Sequence, residues 1–408
     1  MPFVTIPGRV DTTKIVALGA GAVGTAAART LQGLAVPADL LIADRDGAAA
    51  RRLAESLGVG STHVDVTDES ALRALLEPAD LVINTVGPFY RFGTRVLKAA
   101  IDSRTHYVDI CDDVEPTIEM LALDDSARAA GITAVIGMGA SPGVSNLLAK
   151  AAAAGMDQLD TVYTVWPVDA HGDISDTASL VGANGAPSAA AVHWMCQISG
   201  TILVAHDSAI VGEEPLKPVR LTLPDGRRGT VYTVGHPEPV TLQRTLGARE
   251  AYTAMTLRRT TTAYLNVLRA RIDRGDYTVE DAAARLAKPP LIDLVRAGLD
   301  ARRYRGADEL PEFFAVVTGR RAGVHVDTLA LLPEEFVALL NDMAAATGVP
   351  LALATKQFID GIDGLDRGVH APETIVEQAT FFADLAQHLG AEHRQWPVVT
   401  TNQTTVLA

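Results

Sequence analysis

Short apolar runs alternate with longer amphipathic stretches along the first third of the chain. Residues 15–18, 39–43, 62–66, 80–84, 106–110 and 132–136 read as six strands. Residues 48–57, 69–76, 94–102 and 115–130 read as the helices between them. This alternation predicts an α/β domain with a doubly wound, parallel, Rossmann-type sheet. The rhythm changes further on. Residues 159–168 alternate apolar and polar, strand patterns recur at 219–223, 229–234 and 250–257, and 313–318 with 323–331 read as a hairpin. Helical patterns fill 187–199, 260–272, 279–286, 292–298 and 333–346. These predict a second, α+β domain with a mixed or antiparallel sheet. Residues 169–186, rich in Gly, Asp, Ser and Asn, read as a loop reaching the cleft. The expected division is 1–145 for nucleotide binding, 146–365 for substrate and dimerisation, and 366–408 as a C-terminal segment.

The first strand runs into Gly19, Gly21 and Gly24, followed by an alanine-rich helix over 14–31 (KIVALGAGAVGTAAARTL). A G-x-G-x-x-G between strand and helix is a dinucleotide fingerprint. Gly19 serves the tight turn, Gly21 lets backbone approach a pyrophosphate, and Gly24 lets helix and strand pack closely. The unpaired N–H groups at the start of the helix, around Ala22 and Val23, face the phosphates. Asp44 ends the second strand about 20 residues on, where a carboxylate accepts from the adenosine ribose. That favours NAD over NADP, while Arg45 leaves NADP open by offering a partner for a 2′-phosphate. Asp65 and Val66 end strand three beside the expected adenine. Asn84, Thr85, Val86, Gly87 and Pro88 follow strand four, where the nicotinamide half should lie.

Composition narrows the setting. With 408 residues and 48% hydrophobic side chains, the chain fills two domains. A formal charge of -14 argues against general affinity for nucleic acid or an anionic membrane. Only Cys111 and Cys196 are present, so neither a disulfide framework nor a zinc site is expected. The opening MPFVTIPGRVDTTK lacks an apolar signal core, and no run is free of polar breaks for about 18 residues. These features predict a cytoplasmic protein. The histidines show no H-x-x-H spacing, so no metal is expected.

NTVGPFYRFG (84–93), VLKAAIDSRTHYVDICDD (96–113) and GMGASPGVSN (137–146) occur in that order. TGVPLALATKQFIDG (347–361) and GVHAPETIVEQATFFADL (368–385) follow near the C-terminus. Together they resemble the saccharopine dehydrogenase-like family, particularly its reductase branch. The resemblance implies an NAD(P)-dependent oxidoreductase acting on a C–N bond, imine or secondary amine, that joins amino-acid- or polyamine-like fragments. It also implies that the final segment packs back on the nucleotide domain. Enoyl (C=C) reduction within the same family, or dinucleotide binding without turnover, are the alternatives.

Hydride transfer needs a pocket that orients the acceptor carbon and groups that hold the substrate's charges. Asp109 and Asp112, clustered with Asp113 beyond strand five, are candidates for a substrate ammonium or for capping the next helix. Tyr90 and Arg91 follow the GPF turn. Ser141, Pro142 and Gly143 are candidates to present backbone N–H groups to a carboxylate. In GHPEP (235–239), two prolines are expected to fix an exposed His236 and Glu238 in a rigid loop. The substrate is expected to be a small amino-acid- or amine-like molecule, and the second sheet predicts a homodimer.

Overall fold

A computed structural model describes residues 12–168, 187–361, 364–391 and 396–404. The loop read at 169–186 lies outside the described residues. The chain runs β1 (Thr13–Leu18), α1 (Ala22–Gly33), β2 (Ala38–Asp44), α2 (Gly47–Leu57), β3 (Gly60–His63), α3 (Glu69–Leu76), β4 (Leu81–Asn84), α4 (Phe89–Ser103), β5 (His106–Asp109), α5 (Val114–Leu121), α6 (Asp124–Ala130), β6 (Thr133–Val135) and α7 (Val144–Ala153). It continues through β7 (Gln158–Pro167), α8 (Ala189–Gln197), β8 (Ile202–His206), β9 (Ala209–Glu213), β10 (Pro218–Thr222), β11 (Arg228–Thr233), α9 (Glu238–Leu246) and β12 (Glu250–Thr256). Then come α10 (Arg259–Asp273), α11 (Val279–Ala287), α12 (Leu291–Asp300), β13 (Phe314–Arg321), β14 (Val324–Leu331) and α13 (Glu334–Leu339). The last elements are α14 (Met343–Gly361), β15 (Gly368–His370), α15 (Pro372–Ile375), α16 (Gln378–His388) and β16 (Val398–Thr404). Two compact units result. One combines Met1–Leu147 with Ala338–Trp396, and the other Leu148–Val337 with Pro397–Ala408. The first unit therefore resumes at Ala338, upstream of the boundary at 366 read from the sequence.

In the first unit a seven-stranded sheet has the order β15-β6-β5-β4-β1-β2-β3. Its strand pairs are all parallel. β1 is buried over its last four residues, as a strand covered on both faces requires. α1 buries Gly24, Ala27, Ala28 and Leu31, one stripe at helical spacing. α2 starts where the Asp46 side chain accepts from the Ala48 and Ala49 N–H groups, and stops at Gly58 in the left-handed conformation. α4 begins at Phe89, five residues before the expected start, because Pro88 at its N-cap presets the first turn. The single helix expected over 115–130 is two, α5 and α6.

Two late elements complete this unit. α14 is buried on nearly every side and packs on α1, where a side chain on Gly348 would strike Ala26 and the α1 backbone. β15 pairs with β6 in the register Gly368↔Thr133, Val369↔Ala134, His370↔Val135.

The second unit holds a nine-stranded sheet that runs β10-β11-β12-β7-β13-β14-β16, with β8 and β9 joined through β12. It is mixed, since β12 pairs with β7 in parallel while β13 pairs with β7 antiparallel. One core cluster joins Tyr232, Met255 and Leu257 of the sheet region to Leu265 and Leu268 of α10 and Leu286 of α11. The strands β8, β9 and β16 were not read from the sequence.

Candidate functional site

The turn between β1 and α1 is tied to both neighbouring strands. Gly19 N–H donates to the Ala43 carbonyl at 2.8 Å. On the other side the Thr85 N–H and hydroxyl donate to the Leu18 carbonyl at 2.9 and 2.8 Å. The chain order reverses between β1 and β4, and that crevice is where an open α/β sheet binds its ligand. A cavity of about 260 Å³ opens there. Nine of the expected cofactor residues line it: Gly19, Gly21, Asp44, Arg45, Asp65, Val66, Thr85, Val86 and Gly87. Leu18, Ala43, Val64 and Phe92 line it too and were not expected. Three of those four end or follow a strand already placed at the crevice; Phe92 enters because α4 starts early.

The three glycines separate by what surrounds them. Gly19 has φ +101°, and a side chain there would collide with Thr85. A side chain on Gly24 would collide with the Gly19 backbone. Gly21 has extended backbone as the N-cap of α1, and its missing side chain would meet nothing within 4 Å. Gly19 and Gly24 are thus required by the fold, whereas Gly21 keeps space clear for a ligand. α1 has no capping side chain and no acidic residue in its first turn, so its own sequence does not neutralise its positive end. Ala22, Val23, Gly24, Asn84 and Pro88 do not line the cavity.

At the far end, the Asp44 carboxylate accepts from Ala20 N–H and from Asp46 N–H, both at 2.7 Å. It thereby locks the glycine turn to the end of β2. Asp65 accepts from the Thr67 N–H and hydroxyl, and these bonds hold its carboxyl below the usual carboxylate range.

Asn84 and Asp109 lie beneath the crevice and not in it, because both are fully buried. Asn84 donates to the Tyr107 hydroxyl at 2.9 Å and accepts from Val86 N–H at 3.0 Å. Tyr107 donates in turn to Asp109 at 2.6 Å. The other Asp109 oxygen accepts from Cys111 N–H and Gly137 N–H at 3.0 and 2.7 Å. One buried network therefore fixes the loops that follow β4, β5 and β6. Burial pushes the Asp109 carboxyl up to about 6, against the pull of these hydrogen bonds.

The loops after β4 and β5 do meet, through Asp113, whose carboxylate accepts from Tyr90 N–H at 2.9 Å. Asp113, and not Asp112, occupies the N-cap of α5. The Tyr90 side chain is 63% exposed, and the Arg91 guanidinium lies over the Phe92 ring at 5.2 Å. The expected anion cradle at Ser141, Pro142 and Gly143 keeps fewer N–H groups than its three residues suggest. Proline has no N–H, and Gly143 N–H already donates to Asn146 Oδ1 at 3.0 Å. Asn146 is held in turn by Glu373, at 2.9 Å from its Nδ2.

His236 and Glu238 are corrected. They belong to the second unit and form a buried pair at the start of α9, with His236 Nδ1 and Glu238 Oε2 2.9 Å apart. Trp166 covers the imidazole at 5.8 Å between ring centroids. The preceding Gly235 sits against Ile202 and the Gln197 carbonyl, which draws the loop inward.

Comparison with known families agrees with this geometry. Residues 15–135 match the saccharopine dehydrogenase NADP-binding domain. Over those residues the chain is similar to saccharopine dehydrogenases. The chain is 37% identical over 101 residues to the NADP(+)-linked, L-glutamate-forming saccharopine dehydrogenase of Pyricularia oryzae. It is 33% identical over 111 residues to that of Saccharomyces cerevisiae. These stretches cover 24% and 27% of this chain, but only 21% and 24% of the relatives. A likeness of fold alone extends further. The apo yeast L-Glu-forming enzyme superposes with a TM-score of 0.61 at 17% identity, over 96% of this chain and all of that one. The homospermidine synthase of Legionella pneumophila, crystallised with NAD, superposes with a TM-score of 0.55 at 14% identity, over 96% and 91% of the two chains. The expected cofactor class, NAD(P), agrees with the matched domain. Among the described residues no helix is long and apolar enough to cross a membrane.

Proposed function

We propose that this chain is an NAD(P)-dependent oxidoreductase that transfers hydride at a C–N bond, interconverting an imine and a secondary amine in amino-acid- or amine-like conjugates. The observation that carries the reading is the cavity at the β1/β4 crevice, set in a domain of saccharopine dehydrogenase type. NAD(P), when bound, supplies or accepts the hydride. The residues of this chain do the positioning. The β1–α1 turn holds the pyrophosphate, Asp44 and Arg45 select at the ribose, and Val86 and Phe92 wall the nicotinamide end. Asp112, beside the Asp113–Tyr90 contact, is assigned to a substrate ammonium. An iminium carbon is already electrophilic, so the chain needs to orient it more than to protonate it.

The absorbance of NADH and NADPH at 340 nm, followed with saccharopine and with secondary amines of the homospermidine type, tests this. Turnover with either supports the reading. Tight dinucleotide binding without turnover on any secondary amine overturns it. Reduction of an activated C=C bond is the second reading, favoured by the apolar lining that Val86 and Phe92 give the nicotinamide end.

A further inference from the structure

α12 presents its apolar side to water. At 100° per residue, Leu291, Ile292, Leu294, Val295 and Leu299 share a face roughly 160° wide. These five side chains are 45% to 77% exposed. Asp293 and Ala297 are the helix's buried residues. A contiguous exposed aliphatic stripe marks an interaction surface.

The charge around it is unlike the rest of the chain. Lys288, Arg296, Arg302, Arg303 and Arg305 are all exposed. Residues 288–305 carry five cations and two carboxylates, a formal +3 within a chain of -14. Of the carboxylates, Asp293 is buried and Asp300 lies 3.0 Å from Arg303.

We propose that α12 docks this protein on an anionic lipid surface. The aliphatic stripe enters the headgroup–acyl boundary while the flanking arginines and Lys288 take lipid phosphates. The overall negative charge argues against a general affinity, but beyond about 8 Å salt screens it, so the local patch decides at contact. A second copy fits less well. Antiparallel pairing about Val295 would set Leu291 against Leu299 of the other copy, but Lys288 against its Arg302 at both ends. A protein groove also fits less well, because the stripe has no Trp or Tyr and four of its five residues are Leu or Val, which are scarce at protein hot spots.

The test is co-sedimentation of the full chain with vesicles of phosphatidylcholine alone or mixed equally with phosphatidylglycerol. Binding is expected only to the mixed vesicles, and salt near 0.5 M is expected to release it. Replacing Arg302→Gln and Arg303→Gln together should lower partitioning roughly thirtyfold, about fivefold per arginine. The triple change Leu291→Ser, Val295→Ser, Leu299→Ser should lower it at least about tenfold. Circular dichroism reports whether each variant is folded, and the arginine pair carries the test alone if the serine variant is not. Equal binding to neutral vesicles, or binding untouched by the arginine changes, overturns the proposal. So does light scattering that shows a wild-type dimer turned into a monomer by the serine changes, which would make the stripe a self-association face.

Discussion

The carbonyl of Gly19 occupies the place where a side chain on Gly24 would begin. Five residues apart in sequence, the two lock the first turn of α1 onto the end of β1. Gly24→Ala should therefore destabilise the domain itself, because the obstacle is backbone and cannot swing away. A loss of about 1–3 kcal/mol is expected, read as a lower midpoint in urea.

Gly21 should behave in the opposite way. Its backbone is extended and its surroundings are open, so Gly21→Val leaves the melting temperature nearly unchanged. The valine projects into the pyrophosphate path instead. Calorimetry should show dinucleotide binding lost in a protein that melts like the wild type; unchanged affinity would remove the cofactor from this turn.

Asp44 is expected to set cofactor choice. Its carboxylate is fixed by Ala20 and Asp46 at the rim of the cavity, where a 2′-phosphate would meet like charge. We expect NADH to bind more tightly than NADPH, and Asp44→Ala to narrow or reverse the preference by leaving Arg45 unopposed. A tenfold wild-type preference for NADPH would show that Arg45 dominates.

Asp109 gives a pH signature. Its folded carboxyl is raised to about 6 from 3.8, so the folded state holds that proton more tightly than the unfolded chain does. The contribution is full below pH 3.8 and is lost as pH rises through about 6, a change on the order of 3 kcal/mol. Stability against urea, measured from pH 4 to 7, should fall less steeply in Asp109→Asn than in the wild type. An unchanged slope would mean that Asp109 titrates normally.

The buried pair His236–Glu238 should matter to the second unit's stability. His236→Ala strands a fully buried carboxylate without this partner and should cost on the order of 3 kcal/mol. Glu238→Gln keeps a hydrogen-bonding group and should cost less. If both variants melt within a degree of wild type, the pair is not structural.

The nucleotide-binding half was legible because its signals are local. Six apolar runs, three glycines and the acidic residue closing β2 each follow from periodicity or turn chemistry, and the first four runs, Gly19, Gly21 and Asp44 meet at one crevice. The failures have a common cause. Asn84 ends β4 as read and Asp109 ends β5 one residue earlier than read, but sequence does not say whether a polar strand end turns up to a ligand or down into the core. Proline spacing correctly marked a constrained segment at His236, yet burial there depends on Gly235 meeting Ile202, a contact between segments over 30 residues apart. The five-residue strand β8 and the three-residue β15 carry too few residues for any period to show.

β15 also bears on how this protein is made. The sheet that binds the nucleotide takes its last strand from residues 368–370, after residues 148–337 of the second unit have been synthesised. Until then the emerging polypeptide carries β6 as an open edge, and before residues 343–361 are made α1 also lacks the cover of α14. A ribosome stalled before residue 368 would hold the complete glycine fingerprint on an unfinished sheet. Cofactor capture during translation must therefore wait for the C-terminal segment, and truncations that spare every crevice residue should still yield an aggregation-prone product.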